Sequence, residues 1–278
     1  PVGAFGTFGK SGWLKFGGWI NAVIPILIVP YYSVIGGWVI RYLSAYVSGH
    51  GSELAQDGYF SGFISSGLSA EVCFLIFTIF TLVIIFAGVR NGVERVSKLM
   101  MPVLVVLSVI IAVYSVTRPG ALTGVKYFLI PNAANFSWMT VVTAMGQVFY
   151  SLSIMMAIMF AYGSFLQDDA NVAVDGVIIA FADLSISVLS GIVLFTTMYG
   201  TGMTVDMSAS GIATAFLIYP SAIVHLTGSG VVNAIFAAVF YFCLCTLAID
   251  SAFSIVEGVS TAISDKFHIA KRKTTAWV

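Results

Sequence analysis

The stretch VVNAIFAAVFYFCLCTLAIDSAFSIVEGVSTAI, residues 231–263, decides the fold, because it is mostly apolar and carries Asp250 and Ser251 side by side near its middle. An apolar run of roughly 20 residues or more predicts a helix that crosses a bilayer. A carboxylate at the centre of such a helix costs ~2.5–3.5 kcal/mol on insertion scales, so it is retained where it faces a cavity, a partner or an ion. The neighbouring oxygen groups favour a hard cation such as sodium. The alternative is an aspartate that is hydrogen-bonded within the bundle and has no further role.

Composition predicts that the whole chain is a membrane protein. Of its residues 59% are hydrophobic and 9% are charged, and the mean hydropathy is +1.01. Long apolar stretches recur along the chain, which predicts an all-α, polytopic helical bundle and excludes a soluble protein with one hydrophobic core. Since the chain begins with Pro1 rather than Met, we interpret residues 1–278 as a single transmembrane domain that is incomplete at both ends.

Six apolar stretches predict about six transmembrane helices, at residues 17–47, 71–89, 93–117, 138–165, 172–199 and 231–264. An even number of spans puts both ends of the chain on one side. Nine of the 12 Lys and Arg residues flank the spans on that side, and three, Arg41, Arg118 and Lys126, lie on the other. This excess of basic residues predicts a multi-pass protein of the plasma membrane with both ends in the cytoplasm.

Two further spans carry polar residues where a membrane helix is normally apolar. In residues 146–153, GQVFYSLS, the serines can satisfy carbonyls that a local break frees, and the sequence fits a broken helix and a straight one equally. Asp183 lies two turns deeper in its span than Asp175 and therefore requires a partner. A cation is a more economical partner than a basic side chain, because Arg95 and Lys98 lie only at the cytoplasmic end of their span.

Three motifs together resemble the neurotransmitter:sodium symporters, including bacterial members that transport amino acids. They are Tyr31-Tyr32, residues 146–153, and Ile249-Asp250-Ser251 followed by Glu257-Gly258. The resemblance covers nearly the whole chain and corresponds to the third to eighth helices of the family. It implies part of an inverted-repeat symporter fold and sodium-coupled transport of amino acids by alternating access, with no enzymatic activity.

The resemblance also implies the residues that bind ions and substrate. Two Na+ sites are expected, both incomplete here, because the family's first helix supplies further ligands and has no counterpart in this chain. The implied metal ligands are Ser151 and Asp183 at the first site, and Leu247 (through its carbonyl), Asp250 and Ser251 at the second. The implied substrate-binding residues are Tyr32 for the carboxylate and Ile28, Tyr150, Ser153, Met156 and Ile255 for the side chain. A mostly apolar pocket with one hydroxyl favours an apolar or aromatic amino acid.

The chain departs from the family pattern in ways that affect these expectations. Met155-Met156-Ala157 stands where the family usually has Gly-x-Gly, which predicts a smaller or reshaped pocket. Ser187 is typical of chloride-dependent members, yet Asp183 stands where an Asn is common, so we expect Asp183 to supply the negative charge and transport to need no chloride. The spacing of Gly92 and Pro102 resembles a segment that unwinds to open a water path to the inner sodium site. An ordinary helix start is the alternative for that segment.

A channel or a structural membrane bundle with internally paired carboxylates is the alternative to a symporter. The three cysteines, Cys73, Cys243 and Cys245, fall in apolar stretches and favour neither a disulfide nor a metal site. The expected partners are an amino-acid substrate, sodium ions and the lipid bilayer, with no nucleic acid. The sequence leaves the oligomeric state open.

Overall fold

The protein, in a computed structural model, is described at residues 2–8, 12–56, 58–86, 94–132, 136–154, 156–167, 169–200, 214–224 and 227–278. All regular structure in these residues is helical, as the composition predicts. In chain order the α-helices are α1 Val2–Phe8, α2 Gly12–Val47, α3 Tyr59–Ser65, α4 Gly67–Phe86, α5 Glu94–Val116, α6 Ala121–Leu129, α7 Trp138–Ser151, α8 Ile158–Gly163, α9 Val172–Gly200, α10 Tyr219–Val224, α11 Gly230–Phe267 and α12 Lys271–Trp277.

Five helices, α2, α4, α5, α9 and α11, are long and apolar enough to cross a membrane. They confirm five of the six predicted spans and begin or end within a few residues of the predicted bounds. α2 has 36 residues and α11 has 38, which correspond to roughly 54 and 57 Å at the helical rise per residue. Because these lengths exceed the ~30 Å of bilayer hydrocarbon, both helices must tilt or protrude.

The remaining predicted span, residues 138–165, is not one continuous helix. α7 ends at Ser151 and α8 begins at Ile158, so the broken helix is the interpretation that the structure supports. Between them Ser153 and Ala157 have positive φ angles of 55° and 60°, and a left-handed backbone cannot continue a right-handed helix. The six predicted spans therefore correspond to five continuous helices and, at residues 138–165, one pair of half-helices.

The helices α2 and α11 pack against each other and form the centre of the bundle, and the half-helix α8 packs on α11. α2 also approaches α4 closely at Gly37. A Cβ atom added at this glycine would lie 2.7 Å from the backbone nitrogen of Phe74, closer than side-chain atoms pack. Small residues at helix contacts allow such close approach in membrane bundles.

Tyrosine hydroxyls of α2 and α11 bond to the backbone of residues 215 and 216, in the segment between α9 and α11. The hydroxyl of Tyr42 donates to the carbonyl of Phe216 at 2.9 Å, and that of Tyr241 donates to the carbonyl of Ala215 at 2.6 Å. Both carbonyls belong to a π-helical turn, Thr214–Ile218. These two bonds hold the central helices α2 and α11 and residues 214–218 together.

Candidate functional site

Asp250, near the middle of α11, accepts a hydrogen bond from another helix. The hydroxyl of Ser97, in the first turn of α5, donates to Oδ1 of Asp250 at 2.7 Å. Both residues are half-buried. The ion pairs formed by the described residues are Lys98–Glu94 and Lys271–Glu257, so none of these basic side chains neutralises Asp250. A carboxylate accepts several such contacts, and Asp250 therefore retains capacity for a cation.

Asp183 meets Ser151 at the end of the first half-helix. Ser151 is the last residue of α7, and its hydroxyl donates to Oδ1 of Asp183, in α9, at 2.5 Å. The structure thus brings together the two residues predicted at the first sodium site. A carboxylate and a hydroxyl beside the carbonyl end of a helix attract a cation, because the helix dipole is negative there and oxygen ligands suit hard ions.

Tyr32 links the residues predicted at the second sodium site to the predicted substrate pocket. Its side chain lies close enough to those of Ser251, Asp250 and Tyr150 to interact with them electrostatically. Leu247, the remaining predicted ligand, lies one turn before Ser251 on α11. The residue predicted to hold the substrate carboxylate therefore lies beside the residues predicted to hold a cation, between α2 and α11.

Four of the six predicted substrate-binding residues, Ile28, Tyr32, Met156 and Ile255, meet in one apolar cluster. The buried members of the cluster are Met156, Ile158 and Ile255, and the side chains packed against them are Ile24, Ile28, Val29, Tyr32 and Tyr162. The cluster joins α2, the restart of the broken helix and α11. Its wall is aliphatic and aromatic, which suits an apolar side chain.

The other two predicted pocket residues lie at the end of α7 and just after it. Tyr150 is near the end of α7 and is 48% exposed. Ser153 lies in the break, and its backbone N–H donates to the carbonyl of Tyr150 at 3.1 Å. The C-terminal end of α7 therefore determines the positions of both residues.

Two departures from the family pattern fall partly outside the described residues. Met155 and Gly92 lie outside them, so the structure describes neither the whole Met-Met-Ala segment nor the start of the Gly92–Pro102 segment. Met156 and Ala157 are buried. Pro102 lies inside α5, five residues after Ser97, so the segment proposed to unwind reaches the site through the bond from Ser97 to Asp250.

Sequence reasoning missed several residues that hold the site together. Ser97 gave no signal, because its partner lies in a distant part of the chain. Asn21 gave one, since it is a polar residue on the apolar face of α2 that carries Ile28 and Tyr32, two and three turns further on. Its Oδ1 accepts a hydrogen bond from the backbone N–H of Ala157.

Hydrogen bonds also attach α8 to α11. The hydroxyls of Tyr162 and Ser254 are 2.7 Å apart, and Ser254 donates to the carbonyl of Asp250 at 2.9 Å. One turn of α11 further on, the fully buried Glu257 forms an ion pair with Lys271 of α12. Glu257 is thus neutralised within the chain, whereas Asp250 is bonded by a hydroxyl alone among the contacts of the described side chains.

Comparisons with known proteins agree that this chain is similar to sodium-dependent transporters. Residues 60–278 match the family model described as the sodium:neurotransmitter symporter family. An uncharacterized sodium-dependent transporter of Bacillus subtilis is 30% identical over 96% of this chain and 58% of its own length. One of Methanocaldococcus jannaschii is 32% identical over 92% of this chain and 55% of its own length.

A solved structure is similar in fold as well as in sequence. The crystal structure of MhsT in complex with L-phenylalanine superposes with a TM-score of 0.83 at 26% identity, covering 99% of this chain and 62% of that one. The chain therefore spans somewhat more than half the length of the curated relatives it matches.

Proposed function

This chain belongs to the sodium:neurotransmitter symporter family, and we propose that its protein is a sodium-coupled symporter that moves apolar or aromatic amino acids across the plasma membrane by alternating access. One observation carries this proposal. The cation-attracting residues Asp250 and Ser251, the tyrosine Tyr32 and the apolar cluster around Met156 meet beside a broken membrane helix. Broken helices at mid-membrane are where several transporter folds hold a substrate and its ions.

Sodium is the proposed partner of the two membrane carboxylates. The second site would use Leu247 through its carbonyl together with Asp250 and Ser251, and the first would use Ser151 and Asp183. Hydroxyls, and no basic side chain among the described residues, contact the two carboxylates. A monovalent hard cation neutralises such a group without the loss of its oxygen contacts.

The proposed substrate is an amino acid with an apolar or aromatic side chain. Tyr32 would bind its carboxylate, and the wall formed by Ile28, Met156 and Ile255 would contact the side chain, with Tyr150 near the end of α7 and Ser153 in the break. The relative MhsT was crystallised with L-phenylalanine, which supports this substrate class for the present chain.

Chloride is not proposed as a co-transported ion. Asp183 lies beside Ser151 and would provide a fixed negative charge next to the first sodium ion. A fixed carboxylate makes a mobile anion unnecessary for charge balance at that position. Ser187, one turn further along α9, is exposed in this structure.

The first test is uptake by the full-length protein in proteoliposomes. Labelled L-phenylalanine and L-leucine are offered with an inward sodium gradient and, as the control, with an equal potassium gradient. Accumulation that requires sodium supports the symporter. If uptake is the same with both gradients, or absent over a broad panel of amino acids, the carboxylates pair internally or line a pore and the proposal is wrong.

A further inference from the structure

Asn21 is a buried amide in the middle of an apolar helix face. It lies in α2 and is only 5% exposed. The same face carries Ile24 and Ile28, three and seven residues further on, which pack against the apolar cluster at the site. A buried polar side chain in a membrane helix requires a partner, because unsatisfied polar groups are costly in an apolar medium.

The partner of Asn21 is the backbone at the restart of the broken helix. Ala157 precedes α8 and has a left-handed φ of 60°. In a continuous helix its N–H would bond to the carbonyl of Ser153, but Ser153 is itself left-handed and the helix is interrupted there. The N–H of Ala157 instead donates to Oδ1 of Asn21. Asn21 thus supplies, from another helix, the acceptor that the break removes.

The restart is also confined from the opposite side. A Cβ atom added at Gly258 of α11 would lie 3.2 Å from Cγ1 and 3.3 Å from Cα of Ile158. α8 therefore begins between the amide of Asn21 on α2 and a glycine surface on α11. A helix start that is held on two sides has little freedom to shift. Met156 directly precedes Ala157, and its buried side chain forms part of the wall of the proposed pocket.

We propose that Asn21 is a positioning residue that fixes the restart of the broken helix and thereby sets how far Met156 extends into the substrate pocket. The inference rests on the proposed function, because it assigns a determinant of substrate size to the same pocket. Loss of the acceptor leaves the Ala157 N–H unpaired, and the restart then relaxes away from α2. The wall formed by Met156 moves with it, so discrimination between side chains of different size falls.

The test compares two isosteric replacements in the full-length protein. Asn21→Leu keeps the size of the side chain and removes the acceptor, whereas Asn21→Asp keeps an acceptor oxygen. Asn233→Leu is the matched control, since Asn233 is also a buried amide of a membrane helix but bonds the carbonyls of Val224 and Thr227 far from the break. Uptake of L-phenylalanine and L-leucine gives the ratio of their kcat/KM values, and hydrogen exchange reports on the peptide that contains Ala157.

We expect Asn21→Leu to change the phenylalanine-to-leucine ratio about tenfold, the scale on which a pocket discriminates one or two methylene groups. The change should appear mainly in KM, and exchange at the Ala157 amide should accelerate. Asn21→Asp should restore both readouts towards wild type, and Asn233→Leu should leave the ratio unchanged. If Asn21→Leu does not reach the membrane, Asn21→Ser, whose hydroxyl is too short to replace the amide, is measured instead.

A wild-type ratio together with wild-type exchange in the acceptor-free variants would overturn the inference, as would an equal change in the Asn233 control. This outcome differs from failure of the proposed function. If the wild-type protein shows no sodium-driven uptake, the symporter proposal and the role of Asn21 in substrate size both fail, while the exchange rate still decides whether Asn21 holds the break.

Discussion

Replacement of Asp250 by asparagine should weaken the dependence of transport on sodium. Asparagine keeps the shape of the side chain and an oxygen that accepts the bond from Ser97, so the substitution removes charge and little else. We expect the sodium concentration that gives half-maximal uptake to rise, because a neutral amide gains less from a bound cation than a carboxylate does.

The magnitude of this change follows from the surroundings of Asp250. An unpaired charge at the centre of a membrane helix costs ~2.5–3.5 kcal/mol. The charge-assisted bond from Ser97, at 2.7 Å, already recovers about 1.5 kcal/mol of this cost. The cation then supplies the remaining ~1–2 kcal/mol, which corresponds to a roughly 5- to 30-fold rise in the required sodium concentration at about 1.4 kcal/mol per tenfold.

The assay is uptake of L-phenylalanine into proteoliposomes over a range of external sodium concentrations at constant ionic strength. Asp175→Asn is the control, because Asp175 lies in the first turn of α9, remote from the break, and its removal should leave the sodium dependence unchanged. An Asp250→Asn protein that folds, transports and shows the wild-type sodium dependence would refute the assignment of Asp250 as a ligand.

Four further outcomes follow from the same contacts. Asp183→Asn should raise the sodium requirement by a similar factor, and equal sodium curves for it and the wild type would exclude Asp183 from the first site. Tyr32→Phe should raise KM for the substrate about tenfold through loss of one hydrogen bond to a charged group, and an unchanged KM would contradict the carboxylate role. Replacement of chloride by gluconate should leave uptake unchanged, and a severe loss would overturn the role of Asp183 in charge balance. Gly37→Ala should lower the midpoint of thermal unfolding, because its Cβ would meet the Phe74 backbone at 2.7 Å. An unchanged midpoint would mean that the helices separate at little cost.

The membrane helices were predictable because their signal is local. A helix that crosses a bilayer requires roughly 20 apolar residues in succession. Residues 231–263 and 172–199 are long, mostly apolar stretches of this kind. The break after Ser151 was undecided, since a serine in a membrane helix bonds to its own backbone carbonyl as readily as it lines a gap. The distinction depends on Asn21, more than 130 residues away, which accepts the N–H that the break frees.

The sequence predicts the candidate ligands but not the residues that hydrogen-bond to them. The reason is how far along the chain the signal of each residue extends. Asp183 and Asp250 are conspicuous because a carboxylate in an apolar run is expensive wherever its partner lies. Ser97 is inconspicuous because a serine at the start of a helix is ordinary and its bond to Asp250 spans 153 residues of sequence. Tertiary packing determines such pairs, and spacing along the chain gives no indication of them.

The position of Tyr32 suggests how ion and substrate binding are coupled in the proposed symporter. Its side chain lies close to those of Ser251 and Asp250, so a substrate carboxylate held by Tyr32 would add a second negative charge close to the first. Without a cation, two such charges repel strongly in a medium of low dielectric constant. With sodium bound, the second carboxylate is attracted to the ion. Each ligand then raises the affinity of the other by the same factor, because coupling between two binding sites is reciprocal.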